Sequence, residues 1–155
     1  MKDFYKKGLT VIELLVVLVV LGVIFSIVIP QFSRMRENQV LKSGVQDILS
    51  SLNKARSQTL ASLNSLNYGV HFEPNKIIIF TGTGFSPSAS DNEIINIITP
   101  ARISNVTLNL VSDISGEMFF SRLSGSPSKT GTIIISTTNY SKIITIWATG
   151  VVSVD

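Results

Sequence analysis

Lys7-Gly8-Leu9-Thr10-Val11-Ile12-Glu13 opens an apolar run that continues to Ile29 and stops at Pro30. Within it only Thr10, Glu13, Gly22 and Ser26 interrupt a succession of Leu, Val, Ile and Phe. Leu9–Ile29 is 21 residues, and a helix needs about 20 to cross a bilayer. The one carboxylate in the run is Glu13. A charge at the centre of a membrane helix costs about 2.5–3.5 kcal/mol, which marks Glu13 as a functional candidate.

Ahead of the run, Met1–Gly8 is short and carries Lys2, Lys6 and Lys7, the composition of an export leader. An ordinary secretory signal has a shorter apolar core and then a small-residue cleavage site. Here Pro30-Gln31-Phe32-Ser33-Arg34 comes next instead, so the run is expected to stay attached. Charge does not fix its orientation, because Arg34, Arg36 and Lys42 on the far side balance the three leading lysines. Pro30 cannot donate to the Ser26 carbonyl and is expected to kink or interrupt the helix. Gly22 lowers helix propensity by about 1 kcal/mol relative to Ala.

Beyond Pro30 the apolar period remains helical. Phe32, Met35, Val45, Ile48, Leu49, Leu52, Ala55, Leu60, Leu63 and Leu66 recur mostly three or four apart, with charged residues between them. This predicts an amphipathic helix over 31–66, continuous with the membrane helix and weakened at Gly44. From residue 67 the pattern changes to alternation and β-branched runs. Strands are expected at Gly69–Phe72, Lys76–Thr81, Glu93–Thr99, Arg102–Leu110, Glu117–Arg122, Thr132–Thr138, Lys142–Ala148 and Val151–Val154, separated by Pro, Gly, Asn and Ser breakers. Thr81–Ser90 reads as a flexible loop. The expected class is α+β, a long N-terminal helix packed on a C-terminal antiparallel β domain. Its parts are a leader (1–8), a transmembrane helix (9–30), an amphipathic helix (31–66) and a β domain (67–155).

Composition narrows the chemistry. The 155 residues include no Cys, which removes disulfides and thiolate metal sites. The net charge of +3 is concentrated in the leader: without Lys2, Lys6, Lys7 and Asp3, ten basic and nine acidic residues remain. That balance lacks the electrostatic footprint of a nucleic-acid binder.

The N-terminus resembles the class III signal of type IV pilins and type II secretion pseudopilins. The resemblance rests on Gly8, on Leu9-Thr10-Val11-Ile12-Glu13, on the apolar run, and on Gly22 and Pro30. Leu9 stands where the family usually has Phe. The resemblance implies the pilin fold, cleavage after Gly8 by a prepilin peptidase, and N-methylation of Leu9. It also implies a cytoplasmic leader and an exported C-terminal domain. A weaker resemblance, to GspH/FimT-like minor pseudopilins, is carried by Leu52-Asn53-Lys54-Ala55-Arg56-Ser57-Gln58-Thr59 and by Ile143–Val154 with Gly150 in its turn.

Cleavage at Gly8–Leu9 would create a positively charged amine in an apolar setting. Glu13, one helical turn on, can partner its own amine or that of a neighbouring subunit, lowering the burial cost of both charges. Thr10 offers a hydroxyl to the free N–H groups at the helix start, or bonds back within the helix. Gly22 and Pro30 would let the helix loosen as it leaves the membrane for a filament core.

Other apparent sites fail on chemistry. Ser126, Lys129, Thr130 and Gly131 imitate two penicillin-binding motifs but share one Lys in a loop. Asp91-Asn92-Glu93 supplies two carboxylates, whereas calcium takes 6–8 oxygen ligands. His71, the only His, is placed by alternation on a strand facing solvent. Gly82-Thr83-Gly84 lacks the Gly-Lys-Ser/Thr of a phosphate loop. Trp147 alternates into core or sheet surface. No cofactor, metal or catalytic residue is expected.

The leading expectation is therefore a structural subunit, a minor pilin or pseudopilin. Its partners would be the prepilin peptidase, other subunits, an inner-membrane assembly platform and the lipid bilayer. One alternative is a DNA-binding minor pilin of an uptake machine, against which stands the absence of Lys or Arg after Lys142. The other is a membrane-anchored β domain of different function.

Overall fold

The computed structural model describes residues 10–155 and divides at Arg36/Glu37 into two units. One helix, α1 (Val11–Leu60), contributes to both. Nine strands come after it: β1 (Tyr68–Glu73), β2 (Lys76–Thr81), β3 (Glu93–Asn96), β4 (Arg102–Leu108), β5 (Val111–Asp113), β6 (Gly116–Phe119), β7 (Gly131–Ser136), β8 (Ser141–Ile146) and β9 (Val152–Val154). They form two sheets, ordered β3-β2-β1-β6 and β5-β4-β7-β8-β9, with every pair antiparallel. The α+β class expected from the sequence is the one observed.

In the second unit, α1 buries Leu41, Gly44, Ile48, Ser51, Leu52, Ala55 and Thr59. Their spacing is that of one helical face. This stripe joins a core to which the first sheet gives Val70, Phe72, Ile77, Ile79 and Met118. The second gives Ile103, Val106, Leu108, Ile133, Ile135, Ile144 and Ile146. Alternation is clear on β7, where Ile133 and Ile135 point inward and Thr132, Ile134 and Ser136 do not. Gly44 is a packing position more than a weak point: a Cβ there would lie 2.5 Å from Ile135 Cδ1 and 3.6 Å from Ile97.

The helix ends at Leu60, six residues before the expected Leu66. Thr59 explains the stop. Its hydroxyl donates to the Ala55 carbonyl at 2.8 Å and accepts from the Tyr68 N–H at 3.0 Å, so β1 is drawn back onto the last helical turn. Between them Ser62, Asn64 and Ser65 take positive φ and a 3-10 turn (Leu63–Ser65) forms. Leu60, Leu63 and Leu66 are accordingly exposed. Phe32 and Met35, assigned to the same stripe, belong to the first unit and are exposed as well.

The eight expected strands all appear, with ends shifted by a few residues. β5 was not foreseen. It pairs with the end of β4 across Asn109 and Leu110, both at positive φ, a two-residue hairpin. Leu at the second position hides a turn that Gly would have announced.

Leu52 is fully buried and Leu66 is 41% exposed. Leu52→Ala should lower the unfolding free energy of the second unit by about 2–5 kcal/mol, and Leu66→Ala by no more than about 0.5 kcal/mol. Urea titration of the detergent-solubilised chain, followed through Trp147 fluorescence, measures the difference.

Candidate functional site

The first unit presents the apolar run. Every large apolar side chain from Val11 to Ile29 is between 39% and 80% exposed. The helix is long and apolar enough here to cross a membrane, and none of that window is buried. Gly8 and Leu9, expected as the cleavage and methylation positions, lie outside the described residues. Thr10 sits just before the helix: its carbonyl accepts from the N–H groups of Glu13 and Leu14 at 3.1 and 3.2 Å, and its hydroxyl from the Glu13 N–H at 3.4 Å. Among the described residues the Glu13 carboxylate enters no ion pair.

Gly22 faces open space, with no atom within 4 Å of where a Cβ would stand. Pro30 does not interrupt α1, whose helical hydrogen bonding resumes on its far side. The Pro removes one N–H; the turns around it keep their own bonds. Ser26, whose carbonyl loses that partner, turns its own hydroxyl to the Val23 carbonyl at 2.8 Å.

In the second unit the stretch around Arg56 acts as a tie. Arg56 Nε donates to the Gly125 carbonyl at 3.2 Å and Nη2 to the Thr149 carbonyl at 2.8 Å. One cation thereby joins α1 to the β6–β7 loop and to the β8–β9 turn. Gly150 completes the fit. It has φ +76, and a Cβ there would lie 2.6 Å from the Gly125 carbonyl oxygen and 2.8 Å from Arg56 Nε. Lys54 pairs with Glu93 at 2.6 Å; both are about half exposed, so the pair contributes little.

The remaining sequence candidates do not converge. Asp91 is bound to the Thr81 hydroxyl and Glu93 to Lys54. Among the described residues no group of three His, Asp or Glu is placed to hold a metal. Trp147 lies on the sheet surface, 55% exposed, its indole N–H donating to Ser153 Oγ at 3.1 Å.

His71 is a correction. Alternation placed it facing solvent, yet its side chain is only 16% exposed. The Phe85 ring lies on its face, centroids 4.0 Å apart and planes 11° from parallel. Phe85 comes from the stretch read as a flexible loop. Its N–H donates to Glu117 Oε2 at 3.0 Å, and Glu117 is the cross-strand neighbour of His71. Burial is the main effect on the imidazole and lowers its proton affinity. Glu73 and Glu117 oppose this, and Lys76 adds to it. Composition concealed the cluster; a signal within the loop itself was the lone Phe among Gly, Ser, Thr and Pro.

Compared with protein-family models, with curated proteins and with solved structures, the chain gives no match.

Arg56→Ala should cost about 1.5–3 kcal/mol, the range for hydrogen bonds to a charged group. Gly150→Ala should cost a similar amount through strain and displacement of Arg56. Because both break one contact, the double variant should fall short of the sum by more than about 0.5 kcal/mol, readable from three urea titrations beside the parent.

Proposed function

We propose that this chain is a minor pilin or pseudopilin, a structural subunit of a type IV pilus or type II secretion pseudopilus. It acts by assembly rather than by catalysis. The observation that carries the reading is the first unit: an apolar helix unburied on every side, with one carboxylate in its first turn. Such a surface needs an apolar environment around its whole circumference. A bilayer supplies one before assembly, and a bundle of like helices supplies another afterwards. The segment Gly8-Leu9-Thr10-Val11-Ile12-Glu13 supports the same reading, since it resembles the prepilin signal in residue types and spacing.

On this reading the subunit is held in the inner membrane by a single pass, with its β domain exported. Prepilin peptidase cuts between Gly8 and Leu9, and the new amine on Leu9 is methylated. Glu13 then pairs with that amine, in the same chain or in the next. Other subunits and an inner-membrane platform are the partners, and the finished location is a periplasmic or cell-surface filament. The tie from α1 to the closing β8–β9 hairpin through Arg56 supports the comparison with GspH/FimT-like minor pseudopilins.

Co-expression with a prepilin peptidase tests this directly. Intact-mass measurement should give a chain that begins at Leu9 and carries one methyl group; a chain left uncut would overturn the reading. Glu13→Val should be cut and membrane-inserted normally. Its recovery in sheared filaments should fall by more than about a hundredfold, as the loss of one partner of a buried ion pair costs about 3–5 kcal/mol.

A further inference from the structure

Strand β2 is buried on both faces. Ile77 and Ile79 point into the core beneath the sheet. By alternation Ile78 and Phe80 point to the other face, yet they are only 3% and 1% exposed. His71, Gly69 and Glu117 share that outer face, as cross-strand neighbours of Ile78, Phe80 and His71 respectively. A second, smaller apolar layer therefore lies outside the first sheet, and the chain between β2 and β3 covers it.

That chain is fastened firmly at its two ends and lightly in the middle. At one end the Gly82 N–H donates to the Asn67 carbonyl at 2.8 Å, and at the base the Thr81 hydroxyl binds the Asp91 carboxylate. Inside, Asn92 Nδ2 donates to the Ser86 carbonyl at 2.8 Å. The interior is held to the sheet by one stack, Phe85 on His71 with Phe80 at 5.8 Å, and by one hydrogen bond, Phe85 N–H to Glu117. Gly82, with φ +99 and no atom within 4 Å of a Cβ position, provides a hinge. A cleft of about 340 Å³ runs alongside, lined in part by Phe80, Thr83, Glu117, Phe119 and Lys129.

We propose that residues 82–92 form an acid-released strap: closed over Ile78, Phe80 and His71 at neutral pH, and freed when His71 is protonated. The imidazole Nδ1 is buried and has no hydrogen-bond partner. A neutral ring tolerates this, because an unpaired acceptor is cheaper to bury than an added charged donor. A second proton leaves an N–H⁺ with no acceptor beneath the Phe85 ring, and opening the strap lets water reach it.

The charged groups facing His71 set the sign. Its own strand brings Glu73, with Oε1 3.7 Å from Nε2. The start of β2 brings Lys76, β6 brings Glu117, and the strap brings the uncharged Phe85. Burial outweighs the two carboxylates, so the closed state binds the proton more weakly than the open state. Closure is then fully present above the ordinary His titration range and is lost as pH falls from there through the lower range of the closed state. The opened strap uncovers an apolar patch next to Glu117 and Lys129, a surface accessible only in acid.

Segment-resolved hydrogen exchange on the detergent-solubilised full chain tests the strap, between about pH 7.5 and about pH 5.5. A global melt would not serve, because an opening confined to residues 82–92 leaves the core and its transition in place. After correction for the intrinsic rate, protection of the Phe85 segment should fall about threefold or more in acid, while β7 and β8 keep theirs. His71→Phe retains a ring to stack upon and cannot titrate, so its strap should stay protected at both pH values. As the only His, His71 gives a single imidazole resonance. Phe85→Ala should move its titration upward toward the ordinary value. The proposal is overturned by a parent strap whose protection does not change, by an equal loss in β7 and β8, by an equal loss in His71→Phe, or by an unmoved resonance in Phe85→Ala.

Discussion

The second unit depends on one stripe of α1, from Leu41 to Thr59. Neither sheet closes a core without it: the inward Ile and Val residues of β4, β7 and β8 and those of β1 and β2 meet the same helical face. Hydrogen bonds between the sheets are sparse and lie at their margins, as where the Ile103 N–H reaches the Pro74 carbonyl at 2.9 Å. The helix therefore works as the shared wall of a two-sheet domain. Its small residues decide how near the wall stands. Gly44 allows Ile135 and Ile97 to close in, and Ala55 is fully buried. Side chains at interior packing density leave no slack for a larger residue at such points.

Thr59 and Arg56 finish what the stripe begins. Apolar burial is non-directional and would hold the sheets at many angles. Hydrogen bonds at the end of the helix remove that freedom. Thr59 fixes where β1 starts, and Arg56 fixes the β6–β7 loop and the last hairpin. Both residues sit on the last turns of α1, so the helix terminus sets the placement of the first strand and of the last two.

Much of this was legible in the sequence because it is periodic. The three-four spacing of Ile48, Leu52 and Ala55 marked the buried helical face, and the alternation of Ile144 and Ile146 with Thr145 marked the faces of β8. The features that stayed hidden depend on partners far along the chain. The stop at Leu60 needs Tyr68 to reach Thr59. The burial of His71 needs Phe85, fourteen residues on, in a stretch whose composition says loop. β5 needs a Leu at positive φ, where propensity argues against a turn. One clue was present: Ile77-Ile78-Ile79-Phe80 does not alternate. An unbroken apolar run in a strand means that both faces are covered, and in this domain the second cover is the strap.

The first unit obeys the opposite logic. A helix that packs on one partner shows an apolar stripe and a polar back. From Val11 to Ile29 there is no back: Leu14, Leu18, Leu21 and Phe25 are matched around the circumference by Val16, Val19, Val23 and Ile27, all exposed. Each such side chain left in water forgoes about 1.5–3 kcal/mol, so the run as a whole demands an apolar surround. Since no side is distinguished, the surround must be apolar all the way round. Lipid satisfies that, and so does a bundle of identical helices. Glu13 is the exception, and its place in the first turn puts the charge where the positive end of the helix dipole already favours an anion. A carboxylate so placed costs less to carry within an apolar surround than one at the centre of the run would.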